Sequence, residues 1–355
     1  VPLTLDITRE TANARRRIGG MVCVAVFVAA GCTATAGGST IERDGRLSTL
    51  PDGLDLESPE RGFQIANVGA LVEAGDEEEW CEVLQLPGGG QDAYYVSRID
   101  AQMSPTGRHL VVSAAIPGSD TEANMTVGDR VPCVRAGEVF GEDLVEVIAT
   151  QRAYENVDFP ESVGRIYFGG QKIAVDYRYA ATGTQPSLSR VRVNFHRVDE
   201  DDVLHVARTA VFNNLTIYTP PGGQSSHVGQ CTFDSDVVVR SLARQTQRRG
   251  QDFTVWFAGG DRDGQLIWTS RNWSTETHYT FPGEPITLRA GEGFRFECDY
   301  TNPTAYDLRF GTGESDEQCI LMSTFWLAHE DGDARDQRCL LLPRDLTADG
   351  IAKKP

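Results

Sequence analysis

Apolar and polar residues alternate with a period of two through much of this chain, most clearly at Arg190-Val191-Arg192-Val193-Asn194-Phe195 and at Phe294-Arg295-Phe296-Glu297-Cys298. That period puts successive side chains on opposite faces of an extended strand, so each run predicts a strand with one buried face. Phe253-Thr254-Val255-Trp256-Phe257 adds a β-branched and aromatic run, the types that fit a pleated surface. Turn formers separate the runs: Pro87-Gly88-Gly89-Gly90, Pro220-Pro221-Gly222-Gly223 and Gly259-Gly260-Asp261-Arg262-Asp263-Gly264. No convincing amphipathic helix is visible. Many short strands between such turns predict an all-β protein built from β-sandwiches. The acidic run Asp199-Glu200-Asp201-Asp202 near mid-chain reads either as a domain connection or as a solvated hairpin turn. No internal repeat is visible, although two sandwiches can share a fold without sequence similarity.

The chain has 355 residues, enough for two domains with separate cores. Hydrophobic residues make up 40% and charged residues 24%, the composition of an ordinary globular protein. A net charge of -18 argues against nucleic acid as a partner, because phosphate binding needs a basic face.

The N-terminal region changes the picture. Arg15-Arg16-Arg17 precedes an apolar stretch from Met21 to Ala30, which is too short to span a bilayer and reads as a signal peptide over residues 1–32. It ends in Ala29-Ala30-Gly31-Cys32, which resembles the cleavage box of bacterial lipoproteins, whose cysteine carries the lipid. The alternative is a plain secretory signal with an incidental cysteine. The resemblance implies lipidation of Cys32 and membrane attachment in the bacterial cell envelope. Thr33, at the position where aspartate favours inner-membrane retention, points to the outer membrane. Residues 33–60, rich in Gly, Thr, Ser, Asp and Pro, read as a flexible tether.

Setting aside Cys23 and Cys32 leaves Cys81, Cys133, Cys231, Cys298, Cys319 and Cys339. An even number in an exported chain reads as disulfides, and spacing alone cannot choose among the 15 pairings. No Cys-x-x-Cys occurs, so a cysteine zinc or redox site has little support.

Four stretches together carry a family resemblance. They are Trp80-Cys81-Glu82-Val83-Leu84-Gln85-Leu86-Pro87 with Tyr95-Val96-Ser97-Arg98-Ile99; Gly107-Arg108-His109-Leu110; Gly293-Phe294-Arg295-Phe296-Glu297-Cys298-Asp299-Tyr300-Thr301-Asn302-Pro303; and Asp316-Glu317-Gln318-Cys319. From about Gly62 to Cys339 the chain resembles the copper type II, ascorbate-dependent monooxygenases, the group of peptidylglycine hydroxylating and dopamine β-monooxygenases, and especially their bacterial lipoprotein relatives. The resemblance implies two tandem antiparallel jelly-roll β-sandwiches, at residues 61–208 and 209–343, with a tail over 344–355. It also implies the pairings Cys231–Cys339 and Cys298–Cys319, with Cys81 and Cys133 remaining for the first domain, and one copper per sandwich across an interdomain cleft.

The residues at the implied copper positions are mostly wrong for copper. Two adjacent histidines are expected where the chain has Arg108-His109, and a third where Arg178 stands in Asp176-Tyr177-Arg178-Tyr179. The second copper expects His-x-His where the chain has Gln245-Thr246-Gln247, and a thioether where Gln318 precedes Cys319. Only His109 survives. Cu(I)/Cu(II) cycling needs imidazole and thioether donors, and a guanidinium has no lone pair to give. Each arginine would oppose a cuprous ion by roughly 4 kcal/mol at 4 Å and an effective dielectric of 20.

The expectation is therefore a chain with no bound copper or ascorbate, no catalytic residues and no metal ligands, serving as a non-catalytic binding or interaction protein. The alternative is an ascorbate-dependent copper monooxygenase hydroxylating C–H bonds through displaced ligands. Arg244, Arg248 and Arg249, with Arg108 and Arg178, either line the cleft for a small or anionic ligand or pair locally with carboxylates. His196, His205, His227, His278 and His329 are scattered, with no ligand-like spacing. Asp331-Gly332-Asp333 with Asp336 hints at calcium but lacks the twelve-residue loop pattern and reads as a polar turn. No Gly-x-Ser-x-Gly elbow, P-loop or dinucleotide fingerprint appears.

Overall fold

Eight principal strands build a first pair of sheets: β1 (Gly62–Ala66), β2 (Glu77–Gln85), β3 (Ala93–Met103), β4 (Gly107–Ala115), β5 (Leu144–Thr150), β6 (Val163–Phe168), β7 (Lys172–Ala180) and β8 (Val191–Arg197). A second set follows: β9 (Arg208–Asn214), β10 (Gln224–Thr232), β11 (Val237–Gln245), β12 (Gly250–Ala258), β13 (Leu266–Ser270), β14 (His278–Thr280), β15 (Gly293–Thr301) and β16 (Ile320–Leu327). The computed structural model describes residues 52–90, 92–133, 143–271, 273, 277–311, 316–329 and 336–353. Cys32 with its cleavage box and the Asp331-Gly332-Asp333 segment lie outside the described residues. Among those residues the chain is all-β, with one short α-helix, Asp120–Asn124, capped by the Ser119 side chain.

Strand order is the same in both sets. The first pair of sheets runs β1-β8-β3-β6 and β2-β7-β4-β5, and the second runs β9-β16-β11-β14 and β10-β15-β12-β13. Adding eight to each label of the first pair gives the second, so the chain contains a structural repeat. Short strands extend the edges. Arg130–Pro132 pairs with β2, His205–Val206 runs parallel to β6, and Gln337–Leu341 runs parallel to β9.

Each pair of sheets encloses its own core. In the first, Val96, Ile99 and Ala101 of β3 and Phe195 of β8 face Leu110 and Val112 of β4 and Val175 and Tyr177 of β7. In the second, Phe212, Val239 and Leu321 face Val255, Phe294, Phe296 and Tyr300. The period-two reading holds at β15, whose residues alternate between buried and half-buried along Phe294–Thr301. Fully burying a side chain such as Phe294 or Phe296 contributes roughly 1.5–3 kcal/mol, so these inward faces fix the register of each strand. The turns fall where glycine allows them: Gly88 has φ +90° in the Pro87–Gly90 turn, and Gly259 and Gly260 have φ +79° and +65°.

Three disulfides are formed: Cys81–Cys133, Cys231–Cys339 and Cys298–Cys319, with Cα separations of 4.9, 6.3 and 5.9 Å. The last two are the pairings the family resemblance implies, and the first is the pair that remained. The second and third bridges join the two sheets of the second pair, β10 to the Gln337–Leu341 strand and β15 to the residue before β16.

Two expectations about the ends need correction. Residues 52–57, placed in a flexible tether, lie along β8: Asp52 pairs with Arg192 at 3.0 Å, and Asn194 donates to the Glu57 carbonyl at 2.7 Å. Ile351–Lys353, placed in a tail, is a strand parallel to β10, and Ala352 is fully buried in the second core. The acidic run forms a 3-10 turn at Glu200–Asp202, after β8 and before the His205–Val206 strand that still belongs to the first pair. The chain crosses to the second pair only after it.

Candidate functional site

The edge-on register of three neighbouring strands creates the site. On β7, Arg178 lies opposite His109 of β4 on one side and Glu79 of β2 on the other. Asp176, two residues earlier on the same face, lies opposite Cys81. The second set of sheets supplies the far wall through the end of β11 and the segment before β16. Between them is a cavity of about 360 Å³ lined by all six implied copper positions: Arg108, His109, Arg178, Gln245, Gln247 and Gln318. Glu77, Glu79, Asp176, Gln151, Arg248 and Trp273 also line it.

The second-set wall is a network of amides. Gln245 donates from Nε2 to Oε1 of Gln318 at 2.6 Å. Gln247 donates from Nε2 to the Gly311 carbonyl at 3.3 Å, while its own Oε1 is buried with no hydrogen-bond partner among the described residues. The Glu317 carboxylate, fully buried, accepts the backbone N–H groups of Gln247 at 2.7 Å and Arg249 at 2.8 Å. Burial pushes Glu317 up to about 7, against the pull of those two donors. The Tyr300 hydroxyl donates to the Gln318 carbonyl at 2.7 Å. The motif around Cys319 thus anchors the Gln245-Thr246-Gln247 segment.

The first-set wall is charged. Arg178 donates to Glu79 at 3.0 Å and stands 4.0 Å from Glu77, which also receives Arg248 at 3.6 Å from across the cavity mouth. Arg108 points along the backbone, donating to the carbonyls of Pro105, Gly107 and Ala180. Its guanidinium is spent there. Asp176 is held well above the usual carboxylate range by burial first and by the neighbouring Glu79 second. Burial raises Glu79 as well, opposed by Arg178. His109 is lowered to about 4 by burial and then by Arg178, so its imidazole is neutral at ordinary pH. It makes no hydrogen bond among the described residues, and its Nε2 stands 4.0 Å from Oδ2 of Asp176.

Of the five arginines expected near the cleft, Arg108, Arg178 and Arg248 reach the cavity. Arg244 is buried and instead holds Ser270 at 3.0 Å and Thr246 at 2.7 Å. Arg249 offers its backbone N–H to Glu317 and is not among the lining residues. Local pairing with carboxylates accounts for Arg178 and Arg248. The scattered histidines stay apart from His109 in role: His196 sits 2.6 Å from Asp100, His227 meets Ser225 and Tyr218, and His278 faces Glu155 at 3.8 Å.

Sequence reasoning passed over Glu77, Glu79 and Asp176. In a strand, Glu77 and Glu79 share the face of Cys81, and Asp176 shares the face of Arg178, but only the register of the two strands brings these faces together at the cavity wall.

No family model matches the chain, and no curated protein does either. Among solved structures the chain is similar to PNGF-II, at 8% identity and a TM-score of 0.30, covering 79% of this chain. It spans 64% of the length of that protein. It is also similar to PNGase F, a glycosylasparaginase from Flavobacterium meningosepticum, at 8% identity and a TM-score of 0.27, covering 74% of this chain and 94% of the other. PBCV-1 VP54 gives 7% identity and a TM-score of 0.23 over 77% and 96%. Likenesses this weak carry nothing about what the chain does.

Proposed function

We propose that this chain is a copper-free, non-catalytic member of the ascorbate-dependent copper monooxygenase family, exported and lipid-anchored at Cys32 to the bacterial outer membrane, and that it binds a small polar ligand in the cavity between its two pairs of sheets. The observation that carries this reading is the convergence of the six implied copper positions on one cavity, where two of them bond amide to amide. Residues scattered over more than two hundred positions meet there, as they would in a scaffold whose metal sites had been exchanged for a polar wall. The strand orders support the scaffold half of the proposal: in each half, first, eighth, third and sixth strands face second, seventh, fourth and fifth, the arrangement of a jelly roll.

A wall of amides, guanidiniums and carboxylates offers both donors and acceptors, and Trp273 offers a flat apolar surface. Such a lining fits a neutral or zwitterionic solute better than a strongly anionic one, because Arg178 and Arg248 already face carboxylates. The test is titration of the purified chain with Cu(I) under ascorbate. No stoichiometric copper is the expected result. One or two tightly held cuprous ions per chain would overturn the copper-free reading.

A further inference from the structure

We infer that Glu79, His109 and Asp176 form a binding site for one divalent cation, of the Zn²⁺ or Mn²⁺ type, at the first-set wall of the cavity. Their ligating atoms all lie within 4.8 Å of one another. They come from three adjacent strands, β2, β4 and β7, whose mutual register is fixed by the core behind them. Ligand atoms about 2.1 Å from a tetrahedral ion stand roughly 3.4 Å apart. The 4.0 Å gap between Nε2 of His109 and Oδ2 of Asp176 therefore closes by about 0.6 Å, and no pair in the group closes by more than about 1.4 Å, within reach of side-chain rotation.

The donor set is one imidazole and two carboxyl groups. Imidazole with carboxylates suits Zn²⁺ and Mn²⁺, while the absence of sulfur disfavours Cu(I). Three protein ligands leave further coordination positions open toward the cavity for water or a bound solute, the arrangement of a zinc ion that meets substrate. His109 lines the cavity and makes no hydrogen bond among the described residues. The other oxygen of Asp176 rests 3.1 Å from the Cys133 sulfur, which leaves Oδ2 as the one that faces the histidine.

Arg178 is the competitor. It holds Glu79 at 3.0 Å and must release it when the cation enters. Glu77 stands 4.0 Å from the Arg178 Nε and provides the alternative acceptor. Removing this guanidinium therefore tightens the site, an effect that a merely structural cluster would not show.

The proposal deepens the cavity reading but does not depend on the missing copper. The experiment is equilibrium dialysis of the tag-free chain against Zn²⁺ and, separately, Mn²⁺. One ion per chain is expected, weakened at least about tenfold in His109→Ala and Asp176→Asn and tightened about tenfold in Arg178→Gln. Electron spin-echo spectroscopy of the Mn²⁺-loaded unmodified chain, which needs no variant to fold, should show modulation from a single imidazole nitrogen. No binding of either ion to the unmodified chain, or binding that is unchanged in His109→Ala, overturns the site and leaves the copper-free binding reading standing. Cuprous ions on the unmodified chain would overturn that reading alone.

Discussion

The carboxylate of Glu317 accepts the backbone N–H of Gln247 at 2.7 Å, tying the segment before β16 to the loop that ends β11. Its second oxygen takes the N–H of Arg249 at 2.8 Å. Glu317→Ala leaves both part-buried donors without this partner, at up to about 1–3 kcal/mol each. We expect a loss of roughly 2–5 kcal/mol in urea unfolding, with faster hydrogen exchange at the amides of Gln247 and Arg249. Unchanged exchange at both amides would show that this carboxylate does not hold the loop.

Stability should fall as pH rises from 6.5 to 8. Burial raises Glu146 and Glu317 to about 7 in the folded chain, while both titrate near 4.5 when unfolded. The folded state therefore binds more protons across that interval, and stability is lost as the pH climbs through the folded values. His109, lowered to about 4, acts in the opposite sense, but its contribution is complete once the pH exceeds the usual histidine value near 6.5. The decline between pH 6.5 and 8 should be roughly 1–2 kcal/mol for the pair of glutamates. Glu146→Gln with Glu317→Gln should make the decline shallower, leaving the part due to the other raised carboxyl groups, Asp176 among them, which denaturant melts at successive pH values would reveal.

The Cys298–Cys319 bridge crosses from one sheet of the second core to the other, beside Gln318. Replacing both cysteines by alanine should cost about 2–5 kcal/mol. The thermal midpoint should drop, and thiol titration of the unmodified native chain should detect none of the six paired cysteines. Two or more reactive thiols would contradict the bridging pattern.

Gln245 and Gln318 already touch at 2.6 Å, so ligands placed there would share one ion. Gln245→His, Gln247→His and Gln318→Met together should bind one Cu(I), and each single change should not. The triple variant should still fail to hydroxylate, because the first-set wall keeps Arg178. Failure of the triple variant to take up copper would question the positions assigned by resemblance.

Much of this was legible in the chain. The alternation at Phe294–Cys298 and Arg190–Phe195 marks strands that are there, and the turn glycines stand where the backbone turns. Positions 108, 178, 245, 247 and 318 could be picked from motifs because each lies beside a recognisable neighbour. Glu79 and Asp176 could not, because their proximity is a property of register between strands nearly a hundred residues apart in sequence. The repeat escaped notice for a related reason: strand order recurs in the two halves while side chains do not. A three-residue strand such as Ile351–Lys353 is too short to show a period at all.

The pairing of β1 with β8 has a kinetic consequence. Gln64 and Asn194, which bond across these strands, are 130 residues apart, so the first half cannot complete its outer edge until nearly all of its own chain is present. Contacts so distant in sequence slow folding, and the open flank of β1 stays available to other chains meanwhile. A chain of this order emerging strand by strand during synthesis would spend that interval unfinished. Its early strands are then the ones most in need of a chaperone.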